Sequence, residues 1–262
     1  MCLLVAAYDC HADYRLVLIG NRDEFHARPT APLGWWDDTE GILAGRDLAA
    51  GGTWLGLGRD GRLGVVTNYR SAGSLRPEGP SRGTLIPRFL SGAVPSGEYV
   101  PAILREAGAY SGFSLMLMDE VGLTYLANHP EPVHRELERG IYGLSNDRLD
   151  TPWPKVVRTR ERVARILASG AFSPAALFHA LSDRRPAPDG ELPDTGIGIE
   201  RERLVSAPFV VDPAYGTRST TLVLVGRDGL IRVEERRYDQ AGETTGRTAL
   251  AFRATLAAAG HG

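Results

Sequence analysis

Four times along this chain a short apolar run is followed, after a brief polar break, by another, and that rhythm commits the polypeptide to antiparallel sheet. Leu3 to Tyr8 and Arg15 to Gly20 flank the polar segment DCHAD. Thr53 to Gly58 and Arg62 to Thr67 are joined through Asp60 and Gly61, a pair favoured in hairpin turns. GFSLMLMDEVGLTYLANH turns across Asp119 to Gly122, and TLVLVGRDGLIRVEERRY turns at Asp228 and Gly229. Runs of this length bounded by Gly, Asp and Asn read as paired strands. In the first hairpin, Tyr8 opposite Arg15 puts Cys2 opposite Asn21, to within two residues either way.

Helical periodicity is rarer. WPKVVRTRERVARILASG carries Pro154 at a first-turn position, apolar Val156, Val157, Val163, Ile166 and Leu167, and Gly170 where a C-terminal cap falls. GTLIPRFLSG, GEYVPAILREAG and SPAALFHALSD are weaker helical stretches, the first two interrupted by proline. Asp183 to Gly198 is rich in Pro and Gly and reads as a surface loop, while the closing TALAFRATLAAAG fits helix and strand equally. Hairpins separated by a few helices predict an α+β fold, antiparallel sheets each covered by helices on one face. With 43% hydrophobic residues and no linker-like stretch, residues 1–262 read as one domain.

Composition removes several functions. A net charge of -2 gives no field to gather nucleic acid or an anionic membrane surface. Two cysteines, Cys2 and Cys10, exclude a disulfide framework and a four-cysteine zinc site. The N-terminus lacks a basic region and breaks its apolar run at Tyr8 and Asp9, so no signal peptide is read, and no apolar window is long enough to span a bilayer. A soluble, cytoplasmic protein with no membrane insertion is expected. The six histidines form no metal-ligand spacing, so no metal is expected, and no CxxCH attaches haem covalently. A noncovalent haem ligand among His26, His129, His134, Tyr69 and Cys2 stays open, and nothing in the sequence selects one.

The chemistry is concentrated where strands end in polar residues. A small residue at position two permits removal of the initiator methionine, which leaves Cys2 with a thiol and a free α-amine. Such a residue carries its nucleophile and its base together, because an α-amine titrates near ~7.7 to 8.0. Around it the mechanism needs a carboxylate to orient the ammonium, a cation, and donors for an oxyanion. Asp23 and Arg22 in LIGNRDEFHARP supply the first two at the end of the facing strand. Neighbouring strand residues point to opposite faces, so both reach Cys2 only if the strand ends or bulges there. Asn68 and Asn146, each just after an apolar run, are candidate oxyanion donors, and Arg218 before TTLVLV is a further cation. Cys2 taken alone also fits a small buried hydrophobe, and the NRDE cluster a solvated strand end. Gly51 and Gly52 suit a tight backbone approach rather than a phosphate loop, since no Lys-Ser or Lys-Thr follows. Trp35, Trp36 and Trp54 fit a pocket mouth and a core equally, and Asn21 and Trp54 are the candidate substrate contacts.

Taken in order, MCLL, GNRDEFHARP, GRDLAAGGTWLG, TNYR, GLSN with PWPK, and GTRSTTLVLV resemble the NRDE family, which includes homologues of the transport and Golgi organization proteins. That family is similar in turn to N-terminal nucleophile hydrolases, above all the choloylglycine hydrolase and penicillin V acylase group. The resemblance implies a four-layer αββα sandwich of two antiparallel sheets between helices. It implies Cys2 as nucleophile, Asp23 holding the amine, Asn146 as oxyanion donor, Asn68 as a second donor through its backbone, and Arg218 as a supporting arginine. Arg22 lies between Asn21 and Asp23, whereas in many of those hydrolases the arginine precedes that stretch, so a catalytic and a sheet-knitting role both stand. Two functions follow as expectations. The first is a cysteine hydrolase, without cofactor, of a non-peptide C-N amide or related acyl bond in a small molecule. The second is a non-catalytic carrier of haem or another hydrophobic metabolite, in line with the family's links to haem trafficking and to lipid or acyl-CoA metabolism.

Overall fold

The computed structural model describes residues 2–76, 78–169 and 172–255. In chain order its strands are β1 (Cys2–Tyr8), β2 (Tyr14–Phe25), β3 (Thr30–Trp35), β4 (Ile42–Asp47), β5 (Leu55–Gly58) and β6 (Leu63–Asn68). Helices α1 (Leu85–Ser91) and α2 (Ser96–Glu106) follow, then β7 (Phe113–Met118), β8 (Leu123–Ala127), β9 (Val133–Leu137) and β10 (Gly140–Leu144). Next come α3 (Pro154–Ala168), α4 (Pro174–Leu181), α5 (Ile199–Leu204), β11 (Tyr215–Gly226), β12 (Leu230–Tyr238) and β13 (Thr244–Arg253).

The strands form two antiparallel sheets. One runs β10-β1-β2-β11-β12-β13, the other β3 to β9 in sequence order. Because side chains alternate between faces, each sheet divides its apolar residues between two cores. Leu4, Ala6, Leu16 and Leu18 meet Leu43, Leu57, Leu63 and Met116 between the sheets. The opposite faces are covered by helices: Val5, Val17 and Ile19 pack with Val163 of α3 and Leu177 and Leu181 of α4. Val66, Leu115 and Leu117 pack with Ile86 and Phe89 of α1 and Tyr99 and Ile103 of α2. The fold is an α+β, four-layer αββα sandwich, as the resemblance implied.

All four predicted hairpins form, as do the four helical stretches. Pro154 does occupy the first turn of α3, whereas the Gly170 cap lies outside the described residues. The ambiguous C-terminal stretch is strand to Arg253, an edge strand of alternating exposure, and its residues beyond Thr255 are outside the description. Sequence reading did not assign β3, β4, β9, β10 or α5. β3 is also an edge, with Pro32 beside a register shift between Ala31 and Gly34, an irregularity that a proline imposes on a ladder.

The first hairpin is shifted by one residue from the expected register, within the range allowed for it. Tyr8 pairs with Leu16 and Cys2 with Arg22, not Asn21. The cause is Asp9, which adopts a left-handed φ of 53° and donates its N-H to Arg15 O at 2.8 Å, moving the turn by one position. The shift decides the faces. Cys2 and Arg22 share the inter-sheet face with Leu4 and Leu18, while Asn21 and Asp23 share the helix face with Val17 and Ile19.

Candidate active site

Where β1, β2 and β6 end, the sheets enclose a cleft of about 770 Å³ whose lining includes Cys2, Arg22, Asp23, Trp54, Asn68 and Arg82. Cys2 is the first residue of β1, half-buried, with its carbonyl accepting a 2.7 Å hydrogen bond from Ser145 Oγ. Opposite it, Arg22 is only 5% exposed, stacks 4.2 Å from the Trp54 ring centroid, and donates to Thr30 Oγ1 at 3.3 Å. Trp54 reaches this position because residue 45 is glycine: a Cβ there would lie 2.5 Å from the indole. Arg22 thus ties the cleft wall together while keeping its charge 3.8 Å from Glu24.

Asp23 lies one residue beyond the first paired position of β1, so it reaches the strand end from the helix side. Its Oδ1 accepts 2.6 Å from Thr217 Oγ1, which itself accepts from Val210 N at 2.9 Å. Its carbonyl accepts from the Tyr215 hydroxyl at 2.9 Å. Burial pushes the Asp23 carboxyl above its ordinary range, opposed by the nearby Lys155 cation and the Thr217 hydrogen bond. Burial, with Asp23 and Cys2 nearby, likewise holds the Tyr215 phenol well above its ordinary value, so it remains a donor.

Lys155 is the residue that sequence reading overlooked. It sits in the first turn of α3, 2% exposed, and its Nζ has no hydrogen-bond partner among the described residues. Burial pushes its pKa down to about 8, opposed by Asp23 and, more weakly, by Cys2 and Glu202, while Arg70 adds to the fall. The signal was present in its spacing: Lys155, Thr159 and Val163 fall on one helical stripe, and all three are buried.

The two asparagines converge on one another. Asn146 is fully buried behind the cleft, and its Nδ2 donates to Asn68 Oδ1 at 2.9 Å and to Asn68 O at 3.1 Å. Asn68 lines the cleft, and with its Oδ1 engaged by Asn146 its own Nδ2 is the amide donor left for a ligand. Beside them Arg70 N donates to Asn146 O at 2.7 Å, and the Arg70 guanidinium pairs with buried Glu202 at 3.1 Å while stacking 4.3 Å over Trp153.

Other candidates serve the scaffold. Asn21 is buried with both amide ends spent: Nδ2 donates to Leu181 O and Pro208 O, and Oδ1 accepts 2.6 Å from Thr220 Oγ1. It therefore ties β2 to α4 instead of meeting substrate, because the register shift turns it to the helix face. Arg218 sits at a bulge between Thr217 and Ser219 and donates to the carbonyls of Phe25, His26 and Arg28. It clamps the β2 to β3 connection and is not among the residues that line the cleft. Trp35 and Trp36 stack beneath Arg59 and Arg46, leaving Trp54 as the tryptophan of the cleft wall.

Of the haem-ligand candidates, Tyr69 lines the cleft and stacks on His129, whereas His134 is exposed on β9. Among the described residues no group of three His, Cys, Asp or Glu side chains is placed to hold a metal ion. None of the described helices is long and apolar enough to cross a membrane.

The chain is similar to known proteins over most of its length. A human Transport and Golgi organization protein 2 homolog is 34% identical over 257 residues, covering 90% of this chain and 92% of its own. The mouse homolog is 33% identical over the same length and coverage. A solved conjugated bile acid hydrolase of Clostridium perfringens, in its C2A mutant form, is similar over 98% of both chains at 10% identity and a TM-score of 0.49. The profile of the Transport and Golgi organisation 2 family matches residues 1–240, and the chain belongs to that family.

Proposed function

We propose that this protein hydrolyses an acyl bond of a small molecule, most simply a non-peptide C-N amide, with Cys2 as the nucleophile. The observation that carries the reading is the placement of Cys2 at the first position of β1, in the cleft that buried Asp23 also lines, with the buried Lys155 ammonium within electrostatic reach of both. A cleft lined by arginines and carboxylates around the thiol suits bond cleavage better than it suits carriage of a hydrophobic ring system.

In this mechanism removal of Met1 frees the α-amine of Cys2, which takes the thiol proton. The thiolate adds to the substrate carbonyl carbon, and the oxyanion is met by Asn68 Nδ2, which Asn146 holds in place. Collapse breaks the C-N bond, the departing nitrogen takes the proton from the ammonium, and water then releases the acid from the thioester. Asp23 holds the ammonium, and Thr217 and Tyr215 hold Asp23.

The test is intact-mass spectrometry of the purified protein before and after a cysteine-directed acylating probe, with Cys2→Ala as control. The expected result is a chain lacking Met1 that gains one adduct at Cys2 faster than any at Cys10. Retention of Met1, or labelling no faster at Cys2 than at Cys10, refutes the reading and directs attention to haem titration.

A further inference from the structure

The cleft is lined by six arginines, Arg22, Arg28, Arg70, Arg76, Arg82 and Arg201, against three acidic residues, Asp23, Glu24 and Asp47. Most of these cations are already occupied. Arg28 pairs with Asp47 at 2.8 Å and Arg70 with Glu202 at 3.1 Å, while Arg22 stacks on Trp54 near Glu24. Arg76 donates to the carbonyls of Gly73 and Leu75, and Arg201 is exposed at the rim. Arg82 differs from all of them. It is half-buried, lies within electrostatic reach of Cys2, and its guanidinium has neither ion pair nor hydrogen bond among the described residues.

Its backbone is fixed. Arg82 opens a single 3-10 turn, Arg82–Thr84, in which Ser81 Oγ accepts from Gly83 N and Gly83 O accepts from Thr53 N at 3.0 Å. The turn presses so closely on Gly52 that a Cβ there would lie 2.4 Å from the Gly83 carbonyl. A guanidinium held on a rigid turn, poorly solvated and without a carboxylate, is a preorganised receiver for an anion.

We propose that Arg82 binds a carboxylate of the substrate beside the bond that Cys2 attacks, so that the substrate class is a small acyl compound bearing a single negative charge near its reacting carbon. This rests on the reading of Cys2 as a nucleophile. A carboxylate fits better than a phosphate because the cation that acts on Arg82, Arg28, is neutralised by Asp47, leaving one free charge at that point. Burial holds the Arg82 pKa below its ordinary value, and the groups that oppose this are the Cys2 thiol and Glu24, with Arg28 adding to the fall. A bound carboxylate would supply the counter-charge that the site lacks.

Iodoacetate and iodoacetamide test this, since both form an S-C bond with loss of iodide and differ in charge. Alkylation rates at Cys2 are measured for each reagent by mass spectrometry in the wild type, Arg82→Gln and Arg82→Lys at low salt, with folding checked by circular dichroism. The expected ratio of iodoacetate to iodoacetamide rates is about tenfold higher in the wild type than in Arg82→Gln, with Arg82→Lys between them. The same ratio in the wild type and Arg82→Gln overturns the proposal. The ratio is readable however slowly Cys2 reacts, so a Cys2 no faster than Cys10 counts against the nucleophile alone while the ratio still decides Arg82.

Discussion

Asn146 Nδ2 donates to both the side-chain and the main-chain oxygen of Asn68, so one buried amide fixes the backbone and the rotamer of the residue that faces the cleft. The two residues should separate under mutation. Asn68→Ala leaves Asn146 one acceptor and removes the proposed oxyanion donor, with an expected loss of about 10²–10³ in acylation rate and little change in stability. Asn146→Ala leaves a buried hole and two oxygens without their donor, costing roughly 1–3 kcal/mol in urea unfolding as well as rate. Equal stability losses in the two variants would contradict this division.

Lys155 makes stability depend on alkaline pH in a stated direction. Its folded pKa is lowered to about 8 from an ordinary 10.5, so between these values the unfolded chain binds more protons than the native one. Stability from this group therefore rises with pH through that window. Measured against Lys155→Met, the wild type should gain roughly 3 kcal/mol between pH 8 and 10.5. Parallel stability curves for the two proteins would show that Nζ titrates normally.

Thr217→Val removes the hydroxyl that accepts from Val210 and donates to Asp23. The expected cost is about 1–3 kcal/mol at neutral pH, because a buried N-H and a buried carboxylate each lose a partner. Since that hydrogen bond lowers the Asp23 pKa, its loss raises it further. A group with a raised folded pKa favours the native state at low pH and loses that benefit as pH rises, so the deficit of the variant should shrink on acidification. Denaturant midpoints across acid and neutral pH check this.

Gly52→Ala drives a methyl group into the main chain of Gly83, which cannot yield as a flexible side chain does. Overpacking of this kind costs about 1–3 kcal/mol, and here it also displaces the turn that carries Arg82. The variant should lose thermal stability and the preference for iodoacetate together, whereas Arg82→Gln should lose only the preference.

The hairpins were legible because turn chemistry is local: Asp60-Gly61 and Asp228-Gly229 say where the chain reverses without reference to anything distant. Register was less so, since the left-handed Asp9 moved the pairing by one residue and with it the face of every side chain in β2. Cys2, Asp23 and Asn68, read from strand ends, do line the cleft, whereas the shifted register turns Asn21 to the helix face, where both ends of its amide are bonded. Lys155 and Arg82 were missed for different reasons. A lysine on a helix carries no mark of depth unless its stripe is counted, and an arginine in a loop shows its lack of a partner only when the surrounding carboxylates have been placed.

The pairing of β2 with β11 has a consequence for how the protein is made. Asn21 is opposite Thr220, and the Asp23 carboxylate is held by a hydroxyl 194 positions further on. At ribosomal rates of about 5–20 residues per second, the nascent chain carries Cys2 for on the order of 10–40 s before that hydroxyl has been synthesised. Through that interval the thiol is an ordinary one on a disordered segment, without its carboxylate or its cleft. If Cys2 is the nucleophile proposed above, its site is completed only when the sheet is, and truncated translation products carry the thiol without that site.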